Sequence, residues 1–544
     1  MNETMVVSSL KWIHKSDILF VLLCTLLLSI PASYEPHHFA KVLFLGAFIE
    51  SLSYSLLLSL LTYKWRIVRL LAFSLLYALF SIETFTYIVF DSRFNPAILT
   101  LILQTSSQEI SEFINIYLCT FKSVFIILLL LIFYIYIFRL LLYSKQTIRY
   151  KSIKTYIFVI GLILIGFSID YYPLPFPIGN NTVNELLVSL RFVRDNRQDL
   201  DTIEDMFDKI QITQFPNASQ SPTIVLIIGE SFNKYHSSLY GYYLPTSQQL
   251  KKEQQSGRLI VFNQAMTPTN GTAFAMRYLF TLQSCGNNDK QLRCILMPFV
   301  FRKAGYEVAY FDNQYTRSSS GELDYSCVFF LNPQHINNSC FTYRNDETMP
   351  YDGDFINKYK HHFIKNNHSL NIIHLMGQHF DASQRYPKNY SIFTAEDIHR
   401  KDLDESQRLK IAEYDNATFY NDKVVSDIIN QFRDLDAVII YLSDHGEQIY
   451  DDDHHYFGRS FGSNKDSTTL KNVYQVPFMI WCSQRYQTTH PDHYRSICNA
   501  SNSSLCIDDV PYLLFSLAGI DFNYNDKQRS IIDSSYHHHQ TIVE

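Results

Sequence analysis

Long, nearly uncharged apolar runs fill the first third of the chain and then stop. A helix needs about 20 mostly apolar residues to cross a bilayer. Residues 16–33, 40–63, 66–91, 121–144 and 154–172 meet or approach that requirement, which predicts five membrane-spanning helices. No small-residue cleavage site follows the first run, and further spans come directly after it, so it reads as a span and not as a removable leader. Between 173 and 221 the stretches VNELLVSLRFV and DTIEDMFDKIQ carry helical apolar spacing, bounded by YYPLPFPIGNN and FPNASQSP. These predict amphipathic helices bridging the two parts along the membrane surface. From 222 the apolar runs become short. TIVLIIG, EVAYFD, LNIIHLMG and AVIIYLS each predict a buried strand, and residues 405–432 predict a helix. Buried strands alternating with helices imply an α/β fold, its central sheet largely parallel and covered by helices on both faces.

The 544 residues thus divide into a transmembrane domain at 1–172, a bridging linker at 173–221 and an α/β domain at 222–544. The mean hydropathy of -0.06 conceals this division, because the polar two thirds offset the apolar third. A net charge of -6 with no basic patch excludes a nucleic-acid partner. Lys11 and Lys15 precede the first span, Lys64, Arg66 and Arg69 separate the second from the third, and Lys145, Arg149, Lys151 and Lys154 separate the fourth from the fifth. The excess of basic residues places those loops in the cytoplasm, and five spans then carry everything after about 172 to the far side. Seven cysteines fall in that far part. In an oxidising compartment their spacing suggests disulfides at 285–294, 327–340 and 498–506, with Cys482 left free in the apolar run VPFMIWC.

In open α/β sheets, ligands bind beyond the carboxyl ends of the strands. TIVLIIG ends in Glu230-Ser231, and AVIIYLS ends in Asp444-His445-Gly446-Glu447. Carboxylates and an imidazole at one rim suit zinc or manganese. The same residues also suit a loop cap and a surface histidine.

GESFNKYHSSLYGYYLPTS, followed more than two hundred residues later by SDHGEQIYDD, resembles the phosphoethanolamine transferases of Gram-negative envelopes, within the sulfatase and alkaline-phosphatase superfamily. FDNQ at 311–314, HLMGQHF at 374–380 and YDNATFYND at 414–422 extend the resemblance over nearly the whole chain. It implies an inner-membrane protein with its catalytic domain in the periplasm. The resemblance also implies a zinc-coordinated threonine nucleophile. Family members carry a hydroxyl residue nine positions after it, which selects Thr272 with Thr281 in TPTNGTAFAMRYLFT. Gly271 would permit close backbone approach, and a helix start at Thr272 would favour phosphate charge. The family's cysteine near that glycine is absent here, and Thr272 also suits a plain helix cap.

The resemblance assigns Glu230, Asp444 and His445 to Zn2+ together with Thr272, with a second ion left open. It places His379 and either His454 or His455 against substrate or a second metal. Arg317, with Asn313 four residues before it, matches a phosphate-steadying position. Thr105 and Glu109 match polar positions near the lipid headgroup, although Leu101 replaces the asparagine expected before them. The implied reaction moves phosphoethanolamine from phosphatidylethanolamine to lipid A or a lipopolysaccharide core through a covalent threonine intermediate, in a monomer. Two rivals stand beside it. One is a phosphoglycerol transferase of the same fold; the other is a non-catalytic, membrane-anchored binding or sensor protein.

Overall fold

The computed structural model describes residues 15–34, 40–62, 65–90, 93–95, 98–99, 102–103, 110, 113–143, 181–218, 220–287, 289–314, 328–451, 456–458 and 467–537. The chain forms two compact units, one of residues up to 195 and one of most residues from 196 on.

In the first unit, α1 (Lys15–Ser29) tightens into a 3-10 turn, Ile30–Tyr34, where Pro31 cannot supply the next helical N–H. It is followed by α2 (Ala40–Thr62), α3 (Arg66–Phe90) and α4 (Phe121–Tyr143). Among the described residues, Arg66–Val89 and Phe121–Tyr143 are long and apolar enough to cross a membrane. The other apolar helical stretches, Ile18–Tyr34 and Ala47–Ser59, are shorter, and the expected fifth span at 154–172 lies outside the described residues. Five spans are therefore not seen. α4 leaves Phe125, Leu128, Leu129, Ile132 and Tyr136 about half exposed or more. So apolar a surface suits hydrocarbon and not water. Inside the unit, Phe20, Cys24, Phe73, Tyr77 and Ile137 pack together. Glu50 on α2 accepts from Asn181 Nδ2 at 2.6 Å and Asn184 Nδ2 at 2.5 Å, at the start of α5 (Thr182–Lys209). Asn181 Oδ1 also accepts from the N–H groups of Val183 and Asn184, so it caps that helix. The two amphipathic stretches expected in the linker are one continuous helix, because no proline or glycine interrupts 182–209.

The second unit is built on a seven-stranded sheet. In chain order the strands are β1 (Thr223–Gly229), β2 (Leu259–Phe262), β3 (Glu307–Asp312), β4 (Tyr343–Arg344), β5 (Ser369–His374), β6 (Ala437–Ser443) and β7 (Phe478–Cys482). Their spatial order is β2-β7-β6-β1-β5-β3-β4, and β7 runs against the other six. The sheet is thus mixed, although β6, β1, β5 and β3 form the parallel centre that the four apolar runs predicted. Alternation along β1 sends Ile224, Leu226 and Ile228 to one core and Val225 and Ile227 to the other. The first core includes Met276 and Leu279 of α6 (Thr272–Phe280), and Ile203 and Met206 of α5. The second takes Ile411, Tyr414, Ala417 and Val424 of α7 (Glu405–Phe432). α7 starts at a capping box in which Asp404 and Gln407 each accept from the other's backbone N–H.

Every described cysteine is a free thiol, which corrects the expected disulfides. Spacing in the chain misled here. The Cys285 N–H is bonded to Asp508 at 2.8 Å, while the Cys294 sulfur faces the Asp199 carbonyl at 3.9 Å. Cys506 is buried in a short strand, whereas Cys498 sits on the separate helix Pro491–Ala500. Cys340 is free, and its expected partner Cys327 lies outside the described residues.

Beneath β7, the carboxylate of Glu253 takes hydrogen bonds from Arg433 at 2.7 Å, Arg258 at 2.9 Å and the Trp481 indole at 3.0 Å. Burial alone would raise this carboxyl, but the three donors outweigh it and hold it at about 2. Because the folded value lies below the ordinary 4.5, the stabilisation is complete above pH 4.5 and is lost as pH falls through about 2. At pH 7, Glu253→Gln is therefore expected to cost about 2 kcal/mol. The gap to wild type should close below pH 3, as read by thermal unfolding of the full chain in detergent across pH. A pH-independent gap would show that the cost comes from packing alone.

Candidate active site

β1 and β6 are neighbours in parallel register, with Gly229 opposite Ser443. Their next residues, Glu230 and Asp444, therefore leave the sheet at the same level. The chains stay laced together beyond the strands. Asp444 N–H donates to Gly229 O at 3.1 Å, and Phe232 N–H donates to His445 O at 3.0 Å. Between them Ser231 adopts φ +56, a left-handed conformation. It is held there from two sides: its N–H donates to Asp444 Oδ1 at 3.2 Å, and its carbonyl accepts from the buried Tyr414 hydroxyl at 2.6 Å.

Three ligating side chains converge. His445 Nε2 lies 3.1 Å from Glu230 Oε1 and 3.3 Å from Asp444 Oδ2, and all three side chains are fully buried. His445 Nδ1 sits 2.8 Å from the Gly446 carbonyl. That carbonyl can only accept, so Nδ1 carries the proton and the Nε2 lone pair faces the carboxylates. Thr272 opens α6 with its hydroxyl on the same point. Its Oγ1 donates to Glu230 Oε2 at 3.0 Å and lies 3.3 Å from His445 Nε2. Gly271 is extended at φ -138, and a Cβ there would meet only the Phe274 ring at 3.6 Å. Close packing against the chain's own backbone is found at two other glycines. A Cβ on Gly446 would fall 2.0 Å from Asn472 O, and one on Gly377, at φ +53, would fall 2.8 Å from Glu230 N.

The donor set fits a divalent ion: one ligand atom each from Glu230, Asp444 and His445 lies within 4.8 Å of the others. Two carboxylates and an imidazole buried this closely form a site whose charge a cation balances.

The Sulfatase family profile matches residues 222–520, the stretch that holds all four converging residues. The chain belongs to the sulfatase family. Phosphoethanolamine transferase EptC of Escherichia coli (strain K12) is 25% identical over 479 residues, 83% of this chain and 79% of that protein. The C-terminal periplasmic domain of Escherichia coli EptC, solved in complex with Zn, aligns with a TM-score of 0.51 at 25% identity, over 60% of this chain and 92% of that one. The integral membrane protein lipooligosaccharide phosphoethanolamine transferase A (EptA) of Neisseria meningitidis aligns with a TM-score of 0.64 at 15% identity, over 95% of this chain and 97% of that one. At that identity the likeness is one of fold, and it extends past the sulfatase unit over the first, helical unit.

Around this sulfatase centre the remaining expected residues are placed unevenly. His379 is buried, has its ring tilted against that of Phe380 with centroids 4.4 Å apart, and lies two residues past Gly377, which abuts the Glu230 backbone. The Asn313 side chain is committed elsewhere, donating to Asp352 at 2.8 Å and accepting from Met349 N–H at 2.7 Å. Its neighbour Gln314 reaches the centre instead, donating to Glu230 Oε2 at 3.2 Å and to Leu375 O at 2.9 Å. Gln314 follows the end of β3, so the strand-end rule that found Glu230 could have found it. Arg317, His454, His455, Thr105 and Glu109 lie outside the described residues. His374 is a core residue paired with Asp312 at 3.1 Å.

Supporting residues escaped the sequence reading. Asp352 accepts from the N–H groups of Met376 and Gly377, both at 2.9 Å, and so fixes the turn against Glu230; burial raises its carboxyl. His236 is clamped between Asp415 at 2.7 Å and Asp451 at 3.5 Å. Burial would lower its pKa, but the two carboxylates outweigh that and hold it at about 10. A charged, buried imidazole thus ties the loop after β1 to α7 and to the loop after β6.

Proposed function

We propose that this chain is a zinc-dependent phosphoethanolamine transferase of the inner membrane, its sulfatase unit on the periplasmic side. It moves phosphoethanolamine from phosphatidylethanolamine to an envelope glycolipid, either lipid A or a lipopolysaccharide core. The observation that carries this reading is the Thr272 hydroxyl at the start of α6, within 3.3 Å of both Glu230 and His445. A bare metal-binding module has no need of a hydroxyl there, whereas group transfer through a covalent ester does. The names of the relatives supply the group that is carried.

Glu230, Asp444 and His445, with Thr272, would hold the zinc ion. When bound, zinc favours the alkoxide form of a hydroxyl and neutralises charge developing on phosphoryl oxygens. The chain's own residues do the rest. Glu230 Oε2 accepts from Thr272 Oγ1 and so aims the nucleophile. The N-terminus of α6, at Thr272 and Ala273, would present backbone N–H groups to the phosphoryl oxygens. Thr272 Oγ1 forms the new P–O bond, the bond from phosphorus to the diacylglycerol oxygen breaks, and the hydroxyl proton ends on diacylglycerol. The oxygen of an acceptor O–H, on a sugar or a protonated phosphate, then bonds to phosphorus, the bond from phosphorus to Thr272 Oγ1 breaks, and the acceptor's proton passes to Thr272.

Full-length protein incubated with phosphatidylethanolamine and no acceptor is expected to gain phosphoethanolamine on the peptide containing Thr272, read by mass spectrometry. Glycerol phosphate appearing there only with phosphatidylglycerol would instead identify a phosphoglycerol transferase. Thr267, Thr269 and Thr281 are internal controls. Absence of an adduct from every threonine would sink the covalent mechanism.

A further inference from the structure

A concavity lies beside the segments that lead to the catalytic centre. It has a volume of about 410 Å3 and is lined by Asn263, Gln264, Met266, Lys471, Gln475 and Ser504, among others. Both walls are continuous with catalytic segments. The short strand Ala265–Met266 leads through Thr267 to Thr272, and Thr267 N–H donates to Tyr474 O at 2.8 Å. The opposite wall is α8 (Ser467–Tyr474), whose residue Val473 accepts from the N–H of Gly446, next to His445, at 2.8 Å.

Most of the exposed lining is apolar, and its polar part offers amide donors and one positive charge, that of Lys471. Ser504 donates to Gln264 Oε1 at 2.7 Å, and Tyr235 donates to Gln475 Oε1 at 2.6 Å. With both carboxamide oxygens occupied, the two NH2 groups remain as donors. Lys471 is exposed at the rim and forms no ion pair among the described residues. Behind the wall, the ammonium of Lys234 donates to the Asn263 carbonyl at 2.8 Å. Lys234 is only 4% exposed, and no carboxylate lies within ion-pair distance of it among the described residues. Burial accordingly lowers it to about 8. Among the described residues, none that lines the cavity is acidic. The Lys234 ammonium also lies over the Tyr235 and Tyr240 rings, at 5.2 and 5.7 Å, and with the Lys471 charge and the carboxamide N–H groups it makes the potential at this wall favour an anion.

We infer that this cavity is the subsite for the anionic sugar end of the acceptor, a phosphorylated or acidic sugar held by Lys471, Gln264 and Gln475. The inference rests on the transferase reading above and adds where the acceptor docks. It follows that the subsite acts in the second half of the reaction and not in the first.

The test uses the full chain in lipid nanodiscs with purified lipopolysaccharide as acceptor. Lys471→Ala should raise the KM for lipopolysaccharide about tenfold. Release of diacylglycerol without acceptor should stay within about twofold of wild type, since the donor half-reaction does not use the subsite. Lys471→Arg should restore most of the loss. Glucose 1-phosphate should compete with lipopolysaccharide in wild type and fail to do so in Lys471→Ala. Glucuronate, tested alongside, shows whether carboxylate or phosphate is preferred, while equal potency of inorganic phosphate would remove the sugar from the assignment. An unchanged KM, or donor and acceptor steps falling together, overturns the proposal. Should wild type release no diacylglycerol at all, the transferase reading fails on its own. Direct titration of glucose 1-phosphate into wild type and Lys471→Ala then still decides the cavity: equal binding by both overturns it.

Discussion

Thr272→Ala is expected to lower phosphoethanolamine transfer by at least about a thousandfold while the protein stays folded and keeps its metal. The substitution removes one hydroxyl and one methyl group at the first position of α6, where alanine is a good helix former. The helix keeps Met276, Leu279 and Phe280 in the core, so its packing does not depend on Thr272. Glu230, Asp444 and His445 still converge without it. Thr272→Ser should retain measurable transfer, because it preserves the nucleophilic oxygen and loses only the methyl group that limits its rotamers. Three measurements check this: the rate with lipopolysaccharide, the adduct on the Thr272 peptide, and the zinc content of each variant. Normal transfer by Thr272→Ala would remove the nucleophile from the mechanism. Loss of zinc together with activity would make Thr272 an indispensable ligand and leave its nucleophilic role to be shown by the adduct.

Asp444→Asn and His445→Ala are each expected to reduce bound zinc below half an equivalent and to abolish transfer. Each removes one donor from three that lie fully buried within 4.8 Å. Asp444 has a second duty, since its Oδ1 accepts from the N–H groups of Ser231 and His445. Asparagine can keep that oxygen while an NH2 group replaces Oδ2, the oxygen that faces His445, which makes it the cleaner variant. Metal that binds the folded state alone stabilises it by about 4 kcal/mol at a thousandfold excess over Kd. A chelator should therefore lower the unfolding temperature of wild type and leave that of Asp444→Asn nearly unchanged. Elemental analysis gives the stoichiometry. Full zinc retention by both variants would refute the assigned site.

Much of the architecture was legible because burial writes itself into local pattern. TIVLIIG, EVAYFD, AVIIYLS and the helix at 405–432 have the bounds that their apolar runs predicted. A strand buried on both faces has no reason to alternate, so its run length marks its ends. The strands beyond the parallel centre were less visible. Leu259–Phe262 is short and half-covered, and nothing local tells Phe478–Cys482 to run against its neighbours.

The chemistry divides along the same line. Glu230, Asp444 and His445 could be named from sequence because they follow strand ends, and the rim of a parallel sheet is where strand ends meet. Thr272 required the family spacing, since a threonine before an apolar helix is otherwise a cap. Cysteine pairing by proximity in the chain failed: Cys285 and Cys294 are nine positions apart but bonded to different neighbours, Asp508 and Asp199. What only the tertiary structure decided is which polar side chains hold the rim in place. Tyr414 supports Ser231 from 183 positions away, Gln314 reaches Glu230 across 84, and Asp352 braces the turn at Gly377. A hydrogen bond is set by a few tenths of an ångström and by direction. Local periodicity decides which face of a strand is buried, and only the assembled sheet brings a donor on one loop to an acceptor on another.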